Sequence, residues 1–263
     1  MYTDDYAQIA KAAKTKLELW QRNPIGYFLS AMLAGLYIGF GILLIYTIGG
    51  MLGDLPFTKI VMGLAFGAVL GIVVVAGSEL FTGNNFIMTG GWFNRTINLS
   101  QVLKLWLVCY IGNWTGAAVL ALVFHGAGLN EGAVAAYITQ SANLKMNLPF
   151  AALFLRGVLC NILICLAVWC AFRGRSETGK LGLIFWCLFA FVTCGFEQSV
   201  ANMTLLTTAL LGPVQSGVDI DGYFYNIGVV TLGNIAGGVI FVALPYYLIS
   251  RPKENKNGIL SEP

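Results

Sequence analysis

Six long apolar segments alternate with short polar segments along the chain, and this pattern predicts six membrane-spanning helices. The hydrocarbon core of a bilayer requires about 20 apolar residues per helix, and each segment is long enough to cross it. An even number of spans places both ends of the chain on the same side of the membrane. The segments fall near residues 25–52, 60–93, 105–125, 149–172, 181–212 and 223–249.

The composition indicates an integral membrane protein. Of the 263 residues, 57% are hydrophobic and 10% are charged, and the mean hydropathy is +0.76. Soluble domains carry roughly 25% charged residues. The net charge of +3 is too small and too dispersed to suggest nucleic-acid binding. The six cysteines lie in apolar segments and are expected to be small buried residues, not disulfides or metal ligands.

Lysine and arginine are distributed unequally between the two predicted sides of the membrane. With a cytoplasmic N-terminus, twelve of the 15 lie inside and only Lys59 and Lys145 outside, while Arg156 falls within the fourth span. Cytoplasmic loops of membrane proteins are enriched in these residues. The sequence therefore predicts a multi-pass protein of the cell membrane with both termini in the cytoplasm.

Three regions are predicted along the chain. Residues 1–23 lack the apolar core of a signal peptide. They predict an amphipathic helix on the cytoplasmic face, either a gate or plug under a pore or an anchor on the membrane surface. Residues 24–250 are predicted to form a six-helix transmembrane domain, and residues 251–263 a disordered cytoplasmic tail. The apolar positions of the first region are Tyr6, Ile9, Ala10, Ala13, Leu17 and Trp20.

Polar residues interrupt the second and fifth apolar segments in the same way. The second contains AGSELFTGNN and the fifth TCGFEQSVAN, which share the pattern G-x-E-x-x-x-x-N. The third and sixth segments share a further match, IGNWTG and LGNIAG. Two halves of three helices, about 24–126 and 148–250, therefore repeat, and the second is inverted because three is odd. Interrupted helices at matching places in inverted repeats indicate a transport site at the membrane midplane.

The charged residues at these breaks allow more than one role. Glu79 and Glu197 are expected to brace the breaks together with Asn84 and Asn202, with the carboxylates accepting from free N–H groups of the following half-helix. The alternative is a proton or cation site, because intramembrane ionisable groups are often functional. Arg156 would either neutralise a glutamate or attract anions.

The polar groups expected at the centre suit a small anion or the polar end of its conjugate acid. The second half-helices are predicted to begin near Asn84 and Ser199, with N-termini that converge. Helix N-termini carry a partial positive charge and free N–H donors. Thr82 and Gln198 add hydrogen-bonding groups without a net charge.

Four motifs together resemble the formate/nitrite transporter family over about residues 20–250. They are GSELFTGN, RGVLCNILICLAVW, GFEQSVANM and VTLGNIAGG. The resemblance implies an all-α, aquaporin-like bundle of six transmembrane helices with the second and fifth broken, assembled as a homopentamer with one pore per subunit. It also implies transport of formate, nitrite, acetate, lactate or hydrosulfide, as anions or as their acids.

The resemblance further implies roles for single residues. Thr82 matches the threonine in the loop of the second span, Asn161 a pore asparagine, and Lys145 the lysine at the extracellular entrance of the substrate path. The chain departs from the family at Gln198, where the family pattern has histidine. His125, near the outer end of the third span, is expected to be interfacial. The apolar constriction positions are Phe66, Leu70, Leu80, Phe81 and Phe191.

The glutamine decides between two mechanisms of proton-linked transport. A central imidazole can hand a proton to a passing anion because it titrates near neutral pH, whereas a carboxamide cannot. In the other mechanism, Lys145 concentrates anions at the vestibule and the falling dielectric raises the substrate's pKa. The anion then takes a proton from water and crosses as the neutral acid. The sequence favours this mechanism, with Gln198 as a polar contact; uncoupled anion passage is the alternative.

Other classes of protein fit the sequence less well. A neutral-solute channel of the aquaporin type would have Asn-Pro-Ala breaks, and neither break contains proline. A sodium-coupled transporter would need Glu79 or Glu197 as a cation ligand. An enzyme is not expected, because the sequence has no phosphate-binding loop or clustered metal ligands, and no cofactor is expected. The expected partners are a small anion or acid, protons, lipid and further copies of the chain.

Overall fold

The computed structural model describes residues 2–213 and 217–251, which are all-helical apart from turns. The predicted tail, residues 251–263, lies outside the described residues except for Arg251. A π-helical segment, Val239–Ala243, joins the last two helices. The helices are α1 (Tyr2–Arg22), α2 (Pro24–Leu52), α3 (Thr58–Phe66), α4 (Val69–Val75), α5 (Phe81–Phe93), α6 (Leu99–Gly126), α7 (Gly132–Met146), α8 (Phe150–Arg173), α9 (Glu177–Thr193), α10 (Ser199–Leu211), α11 (Ile220–Gly238) and α12 (Leu244–Ser250).

Five helical stretches of the described chain are long and apolar enough to cross a membrane. The fifth predicted span is divided between α9 and α10, which have 17 and 13 residues, so neither is long enough alone. The second predicted span is also divided, because the 13-residue α5 follows α4 only after a gap. The five stretches are Pro24–Leu52, Thr58–Val75, Leu99–Gly126, Phe150–Arg173 and Ile220–Ser250.

Close backbone contacts join α2 to α6 and α8 to α11, the two most extensive helix pairs. Gly116 of α6 lies against the carbonyl of Met32 in α2, and Gly237 of α11 lies against the carbonyl of Val158 in α8. A Cβ at either glycine would overlap that oxygen. Small residues let membrane helices approach this closely, and the two glycines occupy matching places in the repeated Gly-Asn motif.

The N-terminal helix α1 packs against the bundle through its apolar face. Ile9 and Ala13 lie against Gly90 and Gly91 of α5, and Tyr6 is almost fully buried. The expectation of a membrane-surface anchor is therefore wrong, because protein covers the face that would enter the lipid. The two glycines of α5 leave the room that this approach requires.

Polar contacts fix α1 at both ends of its buried face. Asp5 Oδ2 accepts from Arg173 Nε at 2.8 Å, and the hydroxyl of Tyr6 donates to the Ala243 carbonyl at 3.1 Å. Lys16, about three turns further along, donates to a carboxylate of the second span. Since this helix bonds to α8, to the π-helical segment and to the loop before α5, it is an integral part of the fold.

The cysteines do not all follow the expectation of burial. Cys109, Cys160 and Cys165 are buried, but Cys194 is exposed. The expectation is wrong for Cys194 because it ends α9 at the break in the fifth span, outside the packed part of the helix. His125 lies in the last turn of α6 and is also exposed.

Candidate functional site

The two breaks share one backbone geometry. Gly77 and Gly195 have φ values of 69° and 72°, a left-handed conformation that glycine adopts without steric cost. The amide of the following residue, Ser78 or Phe196, donates to the carbonyl five residues earlier, at 3.1 and 3.0 Å respectively. This pair of matched turns ends the first half-helix in each broken span.

The second half-helices, α5 and α10, begin immediately after Leu80 and Gln198. Both of these residues are extended, with φ and ψ of −102° and 123° at Leu80 and −116° and 125° at Gln198. Neither side chain caps its helix. The first N–H groups of a helix have no partner within the helix, so buried half-helices need acceptors from elsewhere in the fold.

Asn113 and Asn234 provide these acceptors. The Oδ1 atom of Asn113 accepts from the Phe81 amide at 2.8 Å, and that of Asn234 accepts from the Ser199 amide at 2.9 Å. Each side-chain nitrogen donates to the backbone carbonyl of the glutamate in its break and to a carbonyl of a neighbouring helix. The asparagines of the repeated Gly-Asn motif therefore hold the half-helices, a role that the sequence match did not reveal.

The carboxylate of the first break has a lysine partner. Glu79 Oε1 accepts from Lys16 Nζ at 2.6 Å, and its Oε2 accepts from Asn84 Nδ2 at 2.8 Å. The sequence predicted that the Glu79 carboxylate accepts from N–H groups of the following half-helix. This prediction is wrong, because Asn113 accepts from the first of these amides and Lys16 neutralises the carboxylate. Lys16 was not predicted as the partner of Glu79, because the two residues lie 63 positions apart and no local motif links them.

The second break repeats this arrangement with residues from other helices. Glu197 Oε1 accepts from Lys145 Nζ at 2.6 Å, and its Oε2 accepts from Asn202 Nδ2 at 2.7 Å. The predicted N–H contact is wrong here too. Glu197 is 2% exposed and the Lys145 side chain 19%, so the predicted vestibule lysine lies within an ion pair whose net charge is zero.

Arg156 contributes its backbone to the second break. Its carbonyl accepts from the Glu197 amide at 3.2 Å, as the Ser30 carbonyl accepts from Glu79 at 3.3 Å. Within the described residues its guanidinium forms no ion pair or hydrogen bond. The expectation that Arg156 neutralises a glutamate is wrong, because Lys16 and Lys145 do so.

Two cavities flank the centre of the bundle. The first, here called the Lys145 cavity, has a volume of about 190 Å³ and reaches Phe191 and Gln198. The second, the Lys16 cavity, has a volume of about 220 Å³ and reaches Leu70 and Leu80. Each cavity has the lysine of one break in its lining. Each break therefore forms part of the wall of one cavity.

Gln198 and Thr82 join the two breaks through their side chains. Gln198 Nε2 donates to Thr82 Oγ1 at 3.0 Å, and the residues are 1% and 0% exposed. The Oε1 atom of Gln198 has no partner among the described residues. This contact presents amide and hydroxyl groups to the centre of the bundle, and neither group carries a charge near neutral pH.

The predicted apolar constriction residues are all buried but do not act alike. Leu70 and Leu80 line the Lys16 cavity and Phe191 lines the Lys145 cavity. Phe66 packs edge-to-face on Phe191, with ring centroids 5.5 Å apart. Phe81 lines neither cavity, because its ring packs against two aromatic rings of α6.

Asn161 lies in α8 next to the other asparagines of the core. Its Nδ2 donates to Asn85 Oδ1 at 3.0 Å and to the Asn234 carbonyl at 2.6 Å. Its Oδ1 and the Nδ2 of Asn85 have no partner among the described residues. The structure shows no direct hydrogen bond from Asn161 to Gln198 or Thr82, so these three predicted polar contacts form two separate groups.

Comparison with known proteins finds a family whose sequence pattern this chain matches. Residues 3–248 match the formate/nitrite transporter model. The chain is 38% identical to the nitrite transporter NirC of Salmonella typhimurium over 255 residues, which cover 97% of this chain and 94% of that protein. It is 30% identical to the formate channel FocA of Escherichia coli over 250 residues, 87% of each chain.

Solved structures agree with the sequence matches. A channel described as an FNT family ion channel superposes with a TM-score of 0.90 at 37% identity, covering 95% of this chain and 100% of that chain. A pentameric formate channel with formate bound superposes with a TM-score of 0.75 at 30% identity, covering 85% of this chain and 96% of that chain. The predicted resemblance is confirmed, and the chain is an all-helical integral membrane protein that belongs to the formate/nitrite transporter family.

Proposed function

We propose that this protein is a channel for small monovalent anions that cross as their neutral conjugate acids, chiefly formate and nitrite. Acetate, lactate and hydrosulfide are further candidate substrates. Support for the substrate class comes from the relatives, which include a nitrite transporter and a formate channel. One pore per subunit, in a homopentamer, is proposed because a similar solved structure is a pentameric formate channel.

The proposed arrangement in the membrane is an aquaporin-like bundle with an inverted repeat of three helices. The matched turns, caps and ion pairs of the two breaks support this repeat. Both termini lie in the cytoplasm, with α1 on that face and residues 251–263 as the tail. The Lys16 cavity then faces the cytoplasm and the Lys145 cavity faces outward.

The observation that carries the proposal is the uncharged contact between Gln198 and Thr82 at 3.0 Å. The motif resemblance implies that Gln198 takes the place of a histidine, and a carboxamide cannot supply a proton. A bare anion in an apolar interior costs several kcal/mol even after relaxation, whereas a neutral acid costs much less. Because a falling dielectric raises the substrate's pKa, water in either cavity can supply the proton before the substrate reaches the constriction.

Each group of site residues has a proposed role in this passage. Gln198 and Thr82 offer hydrogen bonds to the acid at the narrowest point, and Asn161 supports the polar core beside them. Lys16 and Lys145 neutralise Glu79 and Glu197, which hold the breaks together with Asn84 and Asn202. The apolar groups that exclude the charged form are Leu70, Leu80 and Phe191, which line the cavities, together with Phe66, which packs on Phe191.

The alternative is uncoupled passage of the anion, stabilised by the N-termini of α5 and α10. The first amides of these helices, at Phe81 and Ser199, already donate to Asn113 and Asn234. An anion would have to compete with these buried acceptors. This competition at the first amide of each helix favours the neutral acid over the bare anion.

An electrical measurement separates the two forms of transport. Purified protein in a planar bilayer with a formate gradient is expected to give no steady current above a protein-free membrane, because a neutral acid carries no charge. Labelled formate should still enter proteoliposomes, and faster at about pH 5 than at about pH 7, since each pH unit changes the proton concentration tenfold. A formate current that does not depend on pH would contradict neutral-acid passage.

A further inference from the structure

We propose that Arg156 is the first binding site of the substrate anion in the Lys145 cavity and that its guanidinium selects planar anions with two oxygen atoms. Formate and nitrite belong to this class, whereas hydrosulfide and chloride do not. The inference rests on the proposed function, because it assumes that such anions enter this cavity before they are protonated.

The charges that line the Lys145 cavity leave Arg156 available. The charged lining residues are Lys59, Lys145, Arg156 and Glu197, so three positive charges face one negative charge. Lys145 is bound to Glu197 at 2.6 Å and also donates to Asn202 Oδ1 at 3.3 Å. The uncompensated cations among the described lining residues are therefore Arg156 and Lys59.

Arg156 is better placed than Lys59 to pass an anion towards the constriction. Its backbone carbonyl accepts from the Glu197 amide at 3.2 Å, and Glu197 directly precedes Gln198. This bond holds the backbone of Arg156 beside the break, whereas Lys59 lies in the first turn of α3; both residues are exposed. Arg156 and Gln198 both line the Lys145 cavity, so an anion held by the guanidinium would share this cavity with Gln198.

The guanidinium group suits the proposed substrates in shape as well as in charge. Its planar fork can donate two parallel N–H bonds to the two oxygens of a carboxylate, and nitrite presents a similar pair. A lysine ammonium is a point charge without this geometry. A monatomic anion can use only the charge, so the fork adds affinity for two-oxygen anions alone.

The Lys16 cavity has no equivalent of Arg156. The residue in the matching position is Ser30, whose carbonyl accepts from Glu79 as that of Arg156 does from Glu197. Lys16 is the charged residue in the described lining of this cavity, and it is paired with Glu79 at 2.6 Å. We therefore expect a lower half-saturation concentration for substrate arriving from the Lys145 side.

The test compares formate uptake by the native protein with that of Arg156→Lys, Arg156→Gln and the matched charge control Lys59→Gln. Arg156→Lys keeps the charge and removes the fork. It should raise the half-saturation concentration by about threefold to tenfold, since one of the two parallel hydrogen bonds is lost, and leave the maximum rate unchanged. Arg156→Gln should raise it further. Lys59→Gln should raise it by about twofold at most, because a screened point charge without the guanidinium fork adds little affinity.

Several outcomes would overturn the proposal. If Arg156→Lys transported formate as the native protein does, the guanidinium geometry would have no role in selection. If Arg156→Gln and Lys59→Gln had equal effects, Arg156 would not be a specific binding site. Absence of any uptake by the native protein would instead contradict the proposed function. The variants should fold, because the backbone carbonyl of Arg156 and not its side chain bonds to the break.

The native protein also gives a readout that needs no variant. Trifluoroacetate stays ionised and presents two carboxylate oxygens, so it should inhibit formate uptake at lower concentrations than chloride does. Equal inhibition by the two anions would contradict selection by the guanidinium group.

Discussion

Lys145→Met is expected to abolish formate uptake and to lower the yield of folded protein strongly. The substitution leaves the Glu197 carboxylate, which is 2% exposed, without the ammonium group that lies 2.6 Å from it. Removal of one partner from a buried ion pair costs about 3–5 kcal/mol, a large part of a typical total stability of about 5–15 kcal/mol. The measurements are the thermal unfolding temperature in detergent and uptake into proteoliposomes.

Two further variants show whether the buried charge is the cause. The double variant Lys145→Met with Glu197→Gln removes both charges and should recover much of the folded yield, because no uncompensated ion remains. Lys180→Met is the matched control, since Lys180 pairs with a glutamate, Glu177, that is 84% exposed, and such pairs contribute about 1 kcal/mol at most. Equal unfolding temperatures for Lys145→Met and Lys180→Met would contradict this explanation.

Asn234→Ala is expected to lower the unfolding temperature sharply and to stop uptake. The change removes the acceptor of the Ser199 amide and the donor to the carbonyls of Gly157 and Glu197. These groups are buried, and each polar group left without a partner costs about 1–3 kcal/mol. The loss of three such contacts at the start of α10 should therefore displace Gln198, which directly precedes this helix.

The control for this variant is Asn98→Ala. Asn98 also caps a helix, accepting from Gln101 at 3.0 Å, but its cap is exposed. Loss of an exposed cap costs about 1 kcal/mol, and water can replace the lost bond. If Asn234→Ala unfolds at the same temperature as Asn98→Ala and still transports formate, the proposed role of the buried caps is wrong.

Local patterns in the sequence were enough to locate the apolar segments and the breaks. Hydropathy depends on each residue's own preference for lipid, so the apolar segments could be located without a structure. Gly77 and Gly195 signalled the breaks because the left-handed turns there require φ values of 69° and 72°. The motifs around them also identified the family.

Contacts between distant parts of the chain could not be predicted in this way. Lys16 lies 63 residues before Glu79, and only the packing of α1 against α5 brings the two together. Asn113 was matched to Asn234 in the sequence, but the hydrogen bonds to the half-helices depend on how α6 and α11 approach the breaks. The direction in which the Phe81 ring packs likewise depends on its neighbours in α6.

The central claim is that the proton reaches the substrate from water and that Gln198 is only a polar contact. Its most direct test is accumulation of labelled formate and nitrite in proteoliposomes, with and without an inward proton gradient, for the native protein and Gln198→His. Liposomes without protein correct for leakage of the acid through lipid. We predict that the gradient drives accumulation in both proteins. A response in the histidine variant alone would contradict the account and identify the native protein as an anion channel.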